Sequence, residues 1–265
     1  MRRFRPVNPE LALFEGRHLV RGARRVLAVT AHPDDLEAVA GGTLRLMALA
    51  GSTIDVAMLT GGEEQSGQRS NLGQIRRLEE RHAAGILGYA EVHALGFRDL
   101  SLSRASELES RLGELWERVQ PEVVFSFDPS FPDPLLAHPD HLTAGRVTLN
   151  LARRDPRGAP RVYFYGTRDT NVMVDIGPVI NDKIRAVLAH RSQLKLPPAV
   201  YGLLLRAYAR LYGSPIQALY GEGFRALSLP RPGVRAGASR WTPRRRFRPV
   251  PQRPRPVGPG IAPGP

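Results

Sequence analysis

The 265-residue chain contains no cysteine. This absence excludes disulfide bonds, thiolate metal ligands and cysteine nucleophiles. Any metal ion that the protein holds must therefore lie among histidine and carboxylate ligands. The length suits one large domain with flanking segments, so a division into two domains is not required.

The sequence also lacks an apolar run long enough to span a bilayer, which takes about 18 residues or more. Its first residues, MRRFRPVNPELALFEG, carry charges where the apolar part of a secretory signal would lie. We therefore expect a cytoplasmic protein with neither a transmembrane segment nor an export signal.

Acidic residues are absent from residues 228–265, which hold nine arginines and ten of the 24 prolines. Subtracting these nine charges from the net charge of +13 leaves +4 for residues 1–227. The segment has too few apolar side chains to offset the entropy of ordering it, and we predict a disordered Arg/Pro-rich tail. Such a tail can bind polyanions or a membrane surface, but a solvated appendage without a specific partner is the simpler interpretation.

From residue 26 onwards, short apolar segments alternate with segments of helical periodicity. Glycines at 51 and 88 are placed to end the first two helices. The alternation predicts a mainly parallel sheet with helices on both faces, that is, a single α/β domain with a Rossmann-like three-layer sandwich fold. Strands are predicted at 26–31, 54–59, 92–95, 123–127 and 162–165, and helices at 36–50, 72–87, 106–119, 178–193 and 199–211.

Ligands of such folds bind beyond the carboxyl ends of the strands, which indicates loops 31–37, 60–71 and 128–141. The first contains HPDD at 32–35 and the third contains HPDH at 138–141. Proline restricts its own φ angle and the residue before it, so both motifs present their side chains from stiff loops. Two histidines and one carboxylate form a common catalytic zinc site with a fourth position open for water. Adjacent carboxylates cannot easily both reach one small site, so we expect one to bind metal and its neighbour to transfer protons.

These motifs resemble the PIG-L/LmbE-like family of zinc-dependent N-acetylglucosaminyl de-N-acetylases, chiefly through AHPDDLE at 31–37, GGTL at 41–44 and HPDH at 138–141. The resemblance implies a deacetylase domain at 25–227, and residues 1–24 are interpreted from their composition as a basic N-terminal leader. The leader and the tail at 228–265 match nothing in the family pattern. Weaker matches are TGGE at 60–63, RRLE at 76–79, AAGILG at 83–88, LGFRD at 95–99, HRSQ at 190–193 and YGEGF at 220–224.

Carried over by position, the resemblance implies that His32, Asp35 and His141 bind the metal. It also implies that Asp34 is the general base for the water that the metal activates, whose pKa falls from 15.7 to about 7 on zinc. We expect one zinc ion per chain, although iron, cobalt and manganese fit the same ligands.

The resemblance further implies that His138, held cationic or oriented by Asp140, stabilises the oxyanion and helps to protonate the leaving amine. Both residues are therefore expected in the catalytic set. Arg76 and Asp99, with Glu63 nearby, are implied as sugar contacts, because guanidinium and carboxylate groups form strong directional hydrogen bonds with hydroxyls.

Four of the neighbouring residues have structural alternatives. Arg76 and Glu79 lie three apart on a predicted helix, so an ion pair on a solvated face is an alternative to sugar binding. Glu37 is expected to support the ligands or to cap its helix. Lys183 and His190 lie seven apart on one helix face, and for His190 both a pocket-lining and a structural role stay open.

The sequence thus favours a zinc-dependent hydrolase that removes the N-acetyl group from an N-acetylglucosamine (GlcNAc) conjugate. Substrates in the family range from GlcNAc-malate and GlcNAc-inositol to chitooligosaccharides, antibiotic intermediates and glycolipids. A thiol-pathway substrate of the GlcNAc-malate or GlcNAc-inositol type is preferred, because the chain is compact and no membrane anchor is visible.

Two alternative functions remain. The chain can be a polyanion-binding protein that acts through its tail, but no recognised nucleic-acid module is present and tail charge alone gives unspecific, salt-sensitive binding. It can also be a metal amidohydrolase that cleaves a non-sugar amide. A homo-oligomer is possible through apolar residues between 200 and 212.

Overall fold

A computed structural model describes residues 8–62, 71–158 and 160–227. The predicted tail at 228–265 and most of loop 60–71, including Glu63, lie outside the described residues.

The described residues form seven strands and seven α-helices, which alternate over most of their length. The strands are β1 (Arg25–Thr30), β2 (Thr53–Thr60), β3 (Glu91–Phe97), β4 (Val123–Phe127), β5 (Arg161–Tyr165), β6 (Val172–Asp175) and β7 (Gly221–Leu227). The α-helices are α1 (Pro9–Gly22), α2 (Asp35–Leu49), α3 (Leu72–Leu87), α4 (Leu108–Val119), α5 (Pro139–Arg154), α6 (Ile180–Ala189) and α7 (Pro198–Gly213). Short 3-10 helices lie at Leu102–Arg104, Gly177–Val179, Arg191–Gln193 and Ser214–Ile216.

The strands form one sheet in the order β3-β2-β1-β4-β5-β7-β6. Strands β1 to β5 pair in parallel, whereas β7 runs antiparallel to both β5 and β6. Helices α2, α3 and α6 pack together on one face, and α4 and α5 pack together on the other. The predicted α/β fold with a mainly parallel sheet is therefore confirmed.

The order of the strands decides where a ligand can bind. Strands β2 and β3 extend the sheet from β1 in one direction, and β4 and β5 extend it in the other. The crossover connections leave opposite faces at this point, which opens a crevice at the carboxyl ends of β1 and β4. The HPDD motif follows β1 and the HPDH motif lies in the connection after β4.

The segment read from sequence as a basic leader contains a helix. Asn8 caps α1 by accepting a hydrogen bond from the backbone N–H of Leu11. Ala12, Gly16 and Leu19 form its buried face, and the helix packs against β6. The structure also differs from the prediction of one helix at 178–193. This segment is divided into a 3-10 turn, α6 and a second 3-10 turn. Among the described helices, none has the length and apolarity needed to cross a membrane.

Candidate metal centre and active site

Three donor atoms from the two motifs meet at the crevice. Nδ1 of His32, Oδ2 of Asp35 and Nε2 of His141 form a triangle with sides of 3.2 Å each. Zinc bonds to nitrogen and oxygen measure about 2.0–2.2 Å, so a tetrahedral site of this kind has edges of about 3.3–3.6 Å. The triangle matches one face of such a tetrahedron, and the residues fit a small divalent cation.

Hydrogen bonds on the far side of each ring turn the two nitrogens inwards. Nδ1 of His141 lies 2.8 Å from the carbonyl oxygen of Leu136, and Nε2 of His32 lies 2.9 Å from Oδ1 of Asp99. Each bond places a proton on the outer nitrogen and leaves a lone pair on the inner one. The ring of His141 also stacks on Phe127 with centroids 3.7 Å apart. Two lone pairs that face each other at 3.2 Å are repulsive without a proton or a cation between them.

The charges around the triangle also favour a cation. Burial lowers the pKa of His32, but hydrogen bonds to Asp140, Asp35 and Asp99 outweigh this effect and raise the pKa to about 12. Burial raises the pKa of Asp35, but His141 and His32 hold it well below its usual range. The centre therefore keeps its carboxylate ionised and stabilises positive charge beside it.

Asp34 is held in an unusual backbone conformation beside this centre. Its φ angle is +82°, in the left-handed region that residues other than glycine rarely adopt. The guanidinium of Arg76 donates hydrogen bonds to the carbonyl oxygens of Pro33 and Gly62, each at 2.8 Å, and approaches Oδ1 of Asp34 at 3.3 Å. Burial and the charge of Asp35 raise the pKa of Asp34 to about 7. One third of the Asp34 side chain remains exposed.

Arg76 is fully buried, so it does not lie on the solvated helix face that the alternative to sugar binding required. A Cβ on Gly62 would lie 2.1 Å from Nη1 of Arg76, so only glycine fits beside the guanidinium. Glu79, the alternative partner, instead accepts hydrogen bonds from the backbone and hydroxyl of Ser192. The guanidinium thus joins the two loops around Asp34 through its hydrogen bonds to their backbone carbonyl oxygens.

His138 and Asp140 occupy the second motif in different ways. His138 is the N-cap of α5, and its Nδ1 accepts a hydrogen bond from the backbone N–H of Asp140. Burial, followed by the charge of His32, lowers the pKa of His138, which opposes the expected cationic form. The carboxylate of Asp140 accepts from the backbone N–H groups of Leu100 and Leu102, at 2.7 and 3.2 Å. Asp140 thus fixes the segment after β3 and adds negative charge 3.7 Å from His32.

Asp99 is likewise buried. Its Oδ1 accepts from His32 and from the backbone N–H of Leu100, and these bonds hold its pKa below the usual range against the effect of burial. The residue therefore contacts the ring of a metal-site histidine. Glu63, the third expected sugar contact, lies outside the described residues.

Asp128, at the end of β4, is a site-forming residue that sequence reasoning missed. It accepts a two-pronged pair of hydrogen bonds from Arg225, at 2.6 and 2.7 Å, and a third from the hydroxyl of Thr167. It also accepts from the backbone N–H groups of Ser130 and Phe131. These bonds fix the start of the loop that leads to the HPDH motif. An aspartate directly after a predicted strand was the one signal available.

A buried cluster of Glu37, Glu80 and His190 lies behind Asp34. Nε2 of His190 is 3.6 Å from Glu37 and 3.9 Å from Glu80, and these side chains find no hydrogen-bond partner within the described part of the chain. Burial lowers the pKa of His190, but Glu37 outweighs it and raises the pKa, whereas burial and Glu37 raise that of Glu80.

Lys183 also has a structural position. Its ammonium group pairs with Glu222 on β7, and both side chains are buried. The same carboxylate accepts from the backbone N–H groups of Gly42 and Thr43 in α2. The GGTL and YGEGF segments are therefore joined by one buried network, which ties the helix after the HPDD motif to the far side of the sheet.

Comparison with known proteins identifies the relatives of this arrangement. The PIG-L family, described as GlcNAc-PI de-N-acetylase, matches residues 27–152. Diacetylchitobiose deacetylase of Thermococcus kodakarensis is 33% identical in an alignment of 224 positions, which covers 76% of this chain and 82% of that protein. A probable N-acetyl-α-D-glucosaminyl L-malate deacetylase 2 of Bacillus cereus is 28% identical, over 64% of this chain and 84% of its own length.

A solved structure shows the same similarity. N,N'-diacetylchitobiose deacetylase from Pyrococcus horikoshii superposes with a TM-score of 0.72 and 29% sequence identity. The match covers 81% of this chain and 87% of that chain. The similarity therefore extends well beyond the two short motifs, to most of the sheet and its helices.

Proposed function

This chain belongs to the PIG-L family of de-N-acetylases, and we propose on that premise that it removes the acetyl group from an N-acetylglucosamine conjugate with the help of one zinc ion. The observation that carries the proposal is the triangle of donor atoms from His32, Asp35 and His141, with three sides of 3.2 Å. Two imidazoles and one carboxylate, each oriented by its own hydrogen bonds, form a donor set typical of catalytic zinc.

A zinc ion bound by these residues supplies Lewis acidity, which acidifies water and polarises an amide carbonyl. Asp34 is the proposed general base, because its partly exposed carboxyl group lies beside Asp35 at the mouth of the crevice. It takes the proton of the attacking water and returns it to the nitrogen as the amide C–N bond breaks. Acetate and a free amine are then the products.

His138 is the proposed oxyanion donor. Its Nδ1 accepts a hydrogen bond from Asp140, so the neutral ring carries its proton on Nε2. The lowered pKa keeps the ring neutral, and its ring centre lies 5.0 Å from that of His32 and 5.2 Å from that of His141. An N–H donor at this place stabilises the charge that develops on the carbonyl oxygen. Stabilisation comes from a hydrogen bond rather than from a cationic imidazole.

Arg76 and Asp99 act in this proposal as positioning residues. Arg76 holds the left-handed turn at Asp34, and Asp99 orients the ring of His32. Glu63, on loop 60–71, remains the proposed sugar contact. The proposed substrates are small glycosides of N-acetylglucosamine met in the cytoplasm, and both diacetylchitobiose and GlcNAc-malate are named for relatives of the chain.

The test is acetate release by zinc-loaded protein from diacetylchitobiose, GlcNAc-malate and GlcNAc-inositol, beside the variant Asp34→Asn. Asp175→Asn is the matched control, because Asp175 is an exposed carboxylate on β6. We expect release from at least one glycoside, loss of release after chelation and in Asp34→Asn, and normal release in Asp175→Asn. Release from none of the three by protein with a full zinc content would contradict the proposed function and favour a non-sugar amide.

A further inference from the structure

Helix α7 carries an apolar face that the domain does not cover. Of its 16 residues, only Ala209 and Gly213 are buried. The opposite side presents side chains at the spacing i, i+3, i+4, i+7 and i+11, which we call the leucine stripe. It consists of Val200, Leu203, Leu204, Ala207 and Leu211, all exposed.

The stripe is too concentrated to be ordinary surface. Leu203, Leu204 and Leu211 are exposed at 66%, 52% and 69% of their full area. Single exposed leucines are common on soluble domains, but a continuous apolar row marks a surface that is covered in use. Leu196 before the helix and Leu219 after it are exposed as well.

The flanks of the stripe are basic on one side and aromatic on the other. Arg206 and Arg210 lie on one flank, where both guanidinium groups stack over Tyr220 at 5.8 and 5.7 Å. Tyr208 and Tyr212 lie on the other flank, with their hydroxyls 3.3 Å apart. An apolar face bounded by arginine and tyrosine is the pattern of helices that lie in the interface of a bilayer.

The charge of the surrounding sequence indicates which kind of partner covers the leucine stripe. No Asp or Glu occurs from residue 183 to residue 221, and residues 228–265 add nine arginines and again no acid. Stable binding to a membrane surface takes two signals, such as an inserted apolar face together with a basic segment. In an antiparallel symmetric contact between two copies, by contrast, Arg206 and Arg210 of both helices would lie side by side with no carboxylate of this segment to balance them.

We propose that the leucine stripe of α7 docks this protein onto a bilayer surface that carries anionic lipids. The stripe inserts among the lipid acyl chains, and the arginines contact the phosphate groups. Tyr208 and Tyr212 line the same small cavity as Gly166, which follows β5 at the edge of the sheet that carries the candidate metal centre. Docking therefore holds that edge near the lipid surface. The proposal goes beyond hydrolysis and is tested separately from it.

The experiment is co-sedimentation of the full chain with two kinds of vesicle, pure phosphatidylcholine and phosphatidylcholine with about one third phosphatidylglycerol. The test variant is Leu203→Gln/Leu204→Gln/Leu211→Gln. The matched control is Leu49→Gln/Leu78→Gln, because these leucines of α2 and α3 are each 61% exposed and lie outside the stripe.

We expect the wild-type protein and the control to bind the anionic vesicles. The affinity of the test variant for the same vesicles should be lower by at least about tenfold. Release of acetate from soluble diacetylchitobiose should be the same in all three. Equal binding by the test variant, or equal binding to the neutral vesicles, would overturn the proposal. An absence of vesicle binding would overturn it too, and light scattering that shows an oligomer dissociated by the three substitutions would assign the stripe to a second copy of the chain.

Discussion

The two loops that build the candidate metal centre contain the same tripeptide, yet they are held in opposite ways. The loop after β1 passes directly into α2 and is fixed by a buried cation, Arg76, which donates to backbone carbonyl oxygens. The longer connection after β4 is fixed by a buried anion, Asp128, which accepts from backbone N–H groups and from Arg225. The aspartate of the first tripeptide, Asp34, stays partly exposed, whereas that of the second, Asp140, is buried.

This difference shows that the residue types of a motif do not by themselves determine the position of each side chain in the site. In the first loop the histidine of the tripeptide, His32, points into the donor triangle. In the second loop the corresponding His138 caps α5, and the residue that enters the triangle is His141, three positions further on. The surrounding bonds decide which histidine faces the donor triangle and which aspartate stays partly exposed.

The largest expected effect separates the two histidines of the second loop. His141→Ala removes a corner of the donor triangle, so zinc binding should weaken by more than about 100-fold, beyond what loss of an outer partner costs. His138→Ala should keep one zinc per chain and lose most of the acetate release. Metal content measured after dialysis, beside the release assay, checks both. Equal zinc loss in the two variants would contradict the distinction between them.

A second contrast compares the aspartates at the third position of each motif. Asp34→Asn should lower kcat by about 10²–10⁴, the usual contribution of a general base, without loss of zinc. Asp140→Asn keeps the base but weakens the bonds to Leu100 and Leu102, and we expect a smaller loss of rate. Steady-state release of acetate at saturating substrate measures both. A larger fall in Asp140→Asn would reverse the roles of the two residues.

The third prediction concerns Arg76, whose hydrogen bonds stabilise the first loop. Arg76→Gln leaves the carbonyl oxygens of Pro33 and Gly62 without their charged donor, which should lower the free energy of unfolding by about 1–3 kcal/mol for each unpaired group. Arg81→Gln, on the exposed side of the same helix, is the control. Urea unfolding of both variants checks the prediction, and equal midpoints would show that these hydrogen bonds add no stability.

The smallest expected effect concerns Asp128, which stabilises the second loop. Its replacement should change how the free energy of unfolding depends on pH. Burial raises the pKa of Asp128, but hydrogen bonds led by the one from Arg225 lower it below its unfolded value. The stabilisation is therefore present above the unfolded pKa of about 3.9 and is lost as the pH falls through the folded pKa. Unfolding midpoints of the wild type and Asp128→Asn should converge as the pH falls below about 4. A constant difference from pH 3 to 7 would contradict the assignment.

The helices that flank the sheet could largely be predicted, because the sequence signals of a helix and of its end are local. Helix α3 begins and ends where its periodicity and Gly88 place it, and α2 ends next to Gly51, which has a φ angle of +92°. Helix α1 was missed because its basic composition indicated a leader. The spacing of Ala12, Gly16 and Leu19 was the available sign of a packed helix face.

The parts of the site that escaped prediction depend on contacts between distant residues. Asp128 and Arg225 lie 97 positions apart, and Asp99 meets His32 across 67 positions. Local spacing paired Arg76 with Glu79, but burial of the guanidinium against the carbonyl of Pro33, 43 positions away, was decisive. Hydrogen bonds of this kind leave no periodic trace in the sequence, so the contacts that orient His32 and Asp34 could not be read from it.

The central claim is that the two loops hold one cation between His32, Asp35 and His141. Anomalous diffraction at the zinc edge from crystals of the zinc-loaded protein tests it most directly. We expect one strong peak within bonding distance of Nδ1 of His32, Oδ2 of Asp35 and Nε2 of His141. A peak bonded to His138 in place of Asp35, or one held by Glu37, Glu80 and His190, would contradict it.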